Sequence, residues 1–130
     1  MPHFVLEYTD NLGEEADIRG LLTKINQALI RRSDWFPIGG IRSRAIRLHE
    51  YCVADGSHDD AFVHGTLKIG AGRPEAVKKA VGDELFAIMK DHFAPLFAKR
   101  YLALSLELYE FSEAGTYKHN NIHARYRTTP

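Results

Sequence analysis

Residue 2 is proline, and removal of Met1 would turn Pro2 into a chain terminus carrying a secondary amine. Proline is the only coded residue that offers such an amine at a chain end. A neutral terminal amine accepts a proton. Ordinary α-amino groups titrate near ~7.7–8.0, so modest burial or nearby positive charge leaves the nitrogen uncharged at neutral pH. A base built from the chain end must also be held still. The apolar run His3-Phe4-Val5-Leu6-Glu7-Tyr8 reads as a strand that anchors it. Pro2 is therefore the candidate general base.

The other chemistry-bearing residues invite plainer readings. His119 and His123 stand four apart, the spacing of two ligands on one side of a helix, but no carboxylate or cysteine accompanies them. Hydrogen bonding near the terminus is their expected role. His64 falls in a strand and His92 on a helical stripe, where histidines are usually satisfied by core or interface neighbours. Cys52 lacks an activating partner and reads as a small buried hydrophobe. Gly70 and Gly72 are not followed by the Lys-Ser/Thr of a phosphate loop.

The elements that position these residues come in two similar sets. After the strand at 2–8 and a turn at 9–13, a helix is expected from about Glu14 to Arg31. Ile18, Leu21, Leu22, Ile25 and Leu29 form its apolar stripe, with acids in the first turn and Arg31 and Arg32 at the end. A turn at Phe36-Pro37-Ile38-Gly39-Gly40 leads to a strand from about Arg42 to Tyr51, with Ile46 and Leu48 on one face and Arg47 and His49 on the other. A loop at 54–59 separates the halves, about 2–54 and 61–111. The second half repeats the order: a strand at 61–69, a turn at 70–73, and a helix with Pro74 at its first position, running through Val77, Val81, Leu85, Ile88, Met89 and His92. Pro95 breaks or kinks the chain near the helix end, and a strand follows from Leu102 to Phe111. The expectation is one domain over 1–130, built from tandem βαβ units related by a pseudo-two-fold, plus a C-terminal tail. Right-handed crossovers put both helices on one face of a four-stranded mixed sheet. The other face carries Ala103, Ser105, Tyr109, Val53 and Phe62, a mixed surface that asks for a closed oligomer.

Composition narrows the function classes. Lys+Arg and Asp+Glu both number 17, a balance that argues against general nucleic-acid binding. A single cysteine permits no intrachain disulfide. Charged residues interrupt the opening segment, no apolar run reaches the roughly 20 residues of a membrane span, and the cell interior is the expected location.

Particular segments, in order, resemble the tautomerase superfamily and, within it, the 5-carboxymethyl-2-hydroxymuconate delta-isomerases. They are Pro-His-Phe at 2–4, Asn11 with Glu14-Glu15-Ala16-Asp17, Gly-Gly-Ile-Arg-Ser-Arg at 39–44, Ala-Asp-Gly at 54–56, Ala-Phe-Val-His at 61–64, Thr-Leu-Lys-Ile-Gly-Ala-Gly-Arg at 66–73 and Asn-Asn-Ile-His-Ala at 120–124. Residues 30–34 and the tail 125–130 depart from that pattern. The resemblance implies a tautomerase-like fold, a homotrimer with sites near subunit boundaries, and ketonisation of an unsaturated hydroxy-polyacid in aromatic-compound catabolism, without metal or cofactor. It implies that Pro2 is the base, that Arg42 and Arg73 bind substrate carboxylates, and that Arg44 belongs with them. A guanidinium suits that work because its planar fork grips carboxylates in bidentate fashion and does not act as a competing acid. Arg19, Arg31, Arg32, Arg47 and Arg100 read as solvated or ion-paired charges. Two alternatives stand beside this reading: the same proline chemistry on another unsaturated 2-keto acid or a halogenated acid, and a binding module of the macrophage migration inhibitory factor type.

Overall fold

A computed structural model describes residues 1–127; Thr128 to Pro130, the end of the departing tail, lie outside the described residues. Strand β1 (His3–Thr9) leads through two short 3-10 turns into helix α1 (Ile18–Ile30) and strand β2 (Arg42–Leu48). Strand β3 (Ala61–Gly70), helix α2 (Glu75–His92), the one-turn helix α3 (Ala94–Phe97) and strand β4 (Leu102–Phe111) follow. One sheet has the order β2-β1-β3-β4. β1 is parallel to β2, β3 is parallel to β4, and the two central strands run antiparallel. Two βαβ halves, as the repeat in the sequence leads one to expect, thus meet at the β1–β3 seam, a pairing the repeat leaves open.

Alternation along the strands sorts the side chains. Phe4 and Leu6 of β1 and Val63, Leu67 and Ile69 of β3 are fully buried, facing Leu21, Ile25 and Leu29 of α1 and Val81, Leu85 and Met89 of α2. The core lies between the sheet and the helix pair. The opposite sheet face carries His3, Val5 and Glu7 beside Arg42, Arg44 and Ile46, with Phe62, His64, Thr66 and Lys68 and then Ala103, Ser105, Glu107 and Tyr109 completing it. Ile46 is 47% exposed there, so the strand's alternation is right but this isoleucine lies on the open face rather than in the core.

Several local boundaries differ from the sequence expectation, each for a physical reason. The α-helix starts at Ile18, because Asp17 takes a left-handed conformation (φ 44°) and its carboxylate accepts the Gly20 N–H at 3.2 Å as a cap; Glu14 and Glu15 belong to a separate 3-10 turn. Pro74 is the residue before α2, extended at ψ 149°, and its carbonyl accepts the N–H groups of Val77 and Lys78. β2 stops at Leu48 because His49 and Tyr51 are drawn off to Asp10, at 2.9 and 3.0 Å. Cys52 therefore sits in a surface loop and is exposed, which corrects its reading as a buried hydrophobe. His92 is satisfied as expected: its Nε2–H donates to the Ala16 and Asp17 carbonyls at 2.7 and 3.0 Å, while Lys24 donates to its Nδ1 at 2.9 Å. That tie locks the end of α2 to the start of α1.

Leu6, on a central strand and fully buried, has no room to be replaced by solvent. Leu6→Ala should lower unfolding free energy by about 2–5 kcal/mol in a denaturant titration.

Candidate active site

The chain end is woven into the sheet. Pro2 is buried, and its carbonyl accepts the Arg42 N–H at 3.1 Å, continuing the β1–β2 ladder beyond His3. The 3-10 turn Ile38–Gly40 lies alongside: a side-chain carbon on Gly40 would stand 3.5 Å from the Met1 Cα. With Met1 attached, the Pro2 nitrogen is an amide and not a base. The Met1 amine, one residue away, is held below its ordinary value first by burial, then by the Arg73 and Lys118 charges and more weakly by Arg42, with Glu113 opposing. An amine at this place meets net positive surroundings.

Arg73 is fixed by its own hydrogen bonds. Its Nη1 donates to the Gly70 carbonyl at 2.9 Å and its Nη2 to the Trp35 carbonyl at 2.6 Å, and the guanidinium lies 4.7 Å above the ring of fully buried Phe36. It therefore staples the turn after α1 to the turn before α2. Its Nε is buried without a protein partner, and neither of its bonds goes to a carboxylate. Arg42, half-buried at the first position of β2, forms no ion pair among the described residues and faces His3 across the ladder. Arg44 lies two residues on, more exposed, with Nη1 3.2 Å from His3 Nδ1. Because an arginine can only donate, His3 accepts at Nδ1 and is a neutral imidazole in this arrangement. Burial, then Arg44 and Arg42, then the terminal amine and Lys68 hold its pKa below the ordinary value.

The structure thus brings Pro2, Arg42 and Arg73 together at one end of the sheet, with Arg44 next along the open face through His3. Sequence reasoning passed over His3, Lys118 and Glu113. His3 carried a usable signal, its place beside Pro2 in the matched Pro-His-Phe segment. Lys118 and Glu113 carried none, since only the fold-back of the chain after β4 brings them here. The segment around His119 and His123 does pack on the site, but Asn120 makes the bond: its Nδ2 donates to the Gly39 carbonyl at 2.9 Å. His123 lies so close to Gly39 that a side-chain carbon there would fall 2.8 Å from its backbone. Among the described residues, no group of three His, Cys, Asp or Glu side chains is arranged to hold a metal ion. His64 is satisfied by Ser105 at 2.6 Å and Glu107 at 2.9 Å. Arg31 and Arg32 pair with Glu84, and Arg100 bonds the carbonyls of Asn11 and Asp59, in keeping with structural roles.

The sequence profile of the 5-carboxymethyl-2-hydroxymuconate isomerases matches residues 2–126. A 5-carboxymethyl-2-hydroxymuconate Delta-isomerase of Escherichia coli is 46% identical over 127 residues, covering 98% of this chain and all of that protein. A crystal structure of a 5-carboxymethyl-2-hydroxymuconate isomerase from Deinococcus radiodurans R1 superposes with a TM-score of 0.94 at 62% identity, covering 98% of this chain and 95% of that one. A fused 4-OT solved as a symmetric trimer shares the fold alone, with a TM-score of 0.64 at 13% identity over 90% of this chain and 93% of that one.

His3 makes the fold sensitive to acid. Unfolded, it titrates near ~6.5; folded, it titrates lower. Between those values the unfolded chain binds more protons, so His3 contributes stability that is intact above ~6.5 and is lost as the pH falls toward the folded value. His3→Asn should therefore lose less unfolding free energy than the wild type between pH 7.5 and pH 5, the carboxylates that titrate lower being common to both proteins.

Proposed function

Since the chain belongs to the 5-carboxymethyl-2-hydroxymuconate isomerase family, we propose that its Pro2, freed of Met1, is the base that ketonises 5-carboxymethyl-2-hydroxymuconate or a closely similar dienol polycarboxylate. The enzyme is an isomerase; what is proposed is its substrate and the residues that do the work. In the reaction, the neutral Pro2 amine takes the enol hydroxyl proton. The electron pair left on oxygen spreads over the conjugated chain as a dienolate, and the protonated ring nitrogen returns the proton to a carbon of that chain. The C=O forms as the double bonds shift, and no atom is gained or lost. A positioned base of this kind supplies ~10²–10⁴-fold in rate.

Arg73 and Arg42 hold substrate carboxylates, and Arg44 extends the cationic strip along the open face. Their charge also stabilises the dienolate, because anionic character grows as the enol proton leaves. The observation that carries the reading is the buried chain end set among Arg73 and Arg42, where an amine is pushed toward its neutral form. Several fixed cations suit a substrate with several carboxylates better than one with a single acid group, which favours the polycarboxylate over a simple 2-keto acid. A buried terminus whose amine is pushed toward its neutral form has an evident use in catalysis and none in passive binding, which favours an enzyme over a binding module.

The open sheet face, with Ile46 and Tyr109 about half exposed among polar groups, supports a closed oligomer, which we propose is a homotrimer with that face turned inward and sites near subunit boundaries. No helix among the described residues is long and apolar enough to cross a membrane. We place the activity in the cytoplasm, in aromatic-compound catabolism, acting on a small-molecule substrate with neither nucleic acid nor membrane as partner.

Intact-mass measurement should first establish that the assayed protein has lost Met1. In a spectroscopic ketonisation assay, Pro2→Ala should then lower kcat/KM by about 10²-fold or more, the residue left being a primary amine of different geometry. Equal activity would remove Pro2 from the mechanism. Arg73→Ala should raise KM and lower kcat together, by about 10- to 10²-fold in kcat/KM, the worth of a charge-assisted carboxylate contact.

A further inference from the structure

The residues after β4 return to the chain end and bring a charged pair with them. Lys118 Nζ lies 3.1 Å from Glu113 Oε2. The Glu113 carboxylate rests on Gly70, so closely that a side-chain carbon at that position would collide with its Oε1. The Gly70 carbonyl in turn accepts from Arg73 Nη1. Arg73, Gly70, Glu113 and Lys118 therefore form one continuous cluster where β3 ends. Just beyond Lys118 the segment is pinned again, by Asn120 on the Gly39 carbonyl and by His123 against Gly39, whose neighbour Gly40 packs on Met1. Lys118 thus lies in the chain between two anchor points, Glu113 on Gly70 and Asn120 on Gly39. Its charge also acts on the terminal amine, in the same sense as Arg73, while Glu113 acts against both.

The two cations of the cluster are engaged differently. Arg73 spends its hydrogen bonds on backbone carbonyls and keeps no carboxylate of its own. Lys118 has one, but the Glu113 side chain is 56% exposed, and an ion pair so open to solvent is weak and readily exchanged. A polycarboxylate already gripped by Arg42 and Arg73 presents a further carboxylate at high local concentration. It competes well for the ammonium group.

We propose that Lys118 is a further carboxylate-binding residue of the Pro2 site, one that sets its preference for polyanionic substrates, and that Glu113 is the internal carboxylate it exchanges for one on the substrate. The proposal rests on the reading of this chain end as the site of a polycarboxylate isomerase. It predicts opposite effects for the two partners. Losing Lys118 removes a contact to the ligand, whereas neutralising Glu113 removes a competitor. A pair that merely fastened the C-terminal segment would weaken binding when either member was changed.

The test is calorimetric titration of the full-length, Met1-free protein with propane-1,2,3-tricarboxylate, which binds without reacting, alongside turnover of the muconate. Lys118→Met should weaken tricarboxylate binding about tenfold, the scale of a hydrogen bond to a charged group, and raise the KM of the muconate with little change in kcat. Lys118→Arg should stay within about threefold of wild type, and Glu113→Gln should bind about threefold more tightly, as suits an exposed pair. Unchanged binding in Lys118→Met, absence of tricarboxylate binding in the wild type, or weaker binding in Glu113→Gln would overturn the proposal. If Lys118→Met melts early, the direction of the Glu113→Gln effect decides alone. Because the titration needs no turnover, Lys118-dependent binding in a wild type that leaves the muconate unchanged would defeat the isomerase reading and not this one.

Discussion

An amine buried beside guanidinium groups holds its proton poorly, and that burial, reinforced by like charge, is the constraint on which the chain end depends. Burial and like charge act in the same direction at the chain end, and burial is the larger cause. Neither effect would matter on a frayed terminus, where water would solvate the charge. What makes them count is the ladder bond from the Arg42 N–H to the Pro2 carbonyl, which makes the terminus part of a central strand.

The double βαβ architecture serves that constraint from both halves. β1 supplies the terminus, β2 supplies Arg42 and Arg44 in register beside it, and the turn after β3 supplies Arg73. Arg73 then reaches back to the Trp35 carbonyl in the first half. The same guanidinium thus closes the two halves on each other and raises the potential at the amine. A side chain with a structural duty is rigid, and rigidity keeps its charge at a fixed distance from the chain-end amine.

Much of this was legible in the sequence. Apolar stripes at helical spacing and alternation in the strands gave both βαβ halves, and β4 from Leu102 to Phe111 agrees at both ends. Local hydrogen bonds that no periodicity encodes account for the misplaced boundaries. Asp17 capping Gly20 from a left-handed conformation delays α1, and Asp10 capturing His49 and Tyr51 shortens β2 and leaves Cys52 on the surface. Pro2 and Arg42 each open a strand in the sequence, and the parallel pairing of β1 with β2 in the fold puts them at one end of the sheet. The tether of Arg73 to Trp35, the neutral His3 beneath Arg44, and the Lys118–Glu113 pair were not legible, because each depends on how the folded chain places side chains whose types are ordinary.

A pH titration of the Pro2 nitrogen itself, by ¹⁵N NMR on protein that has lost Met1, tests the role of the chain end most directly. The expected pKa lies below the ordinary terminal-amine range of ~7.7–8.0 and moves back toward that range in Arg73→Ala. A wild-type value within or above that range, unmoved by Arg73→Ala, would contradict that role.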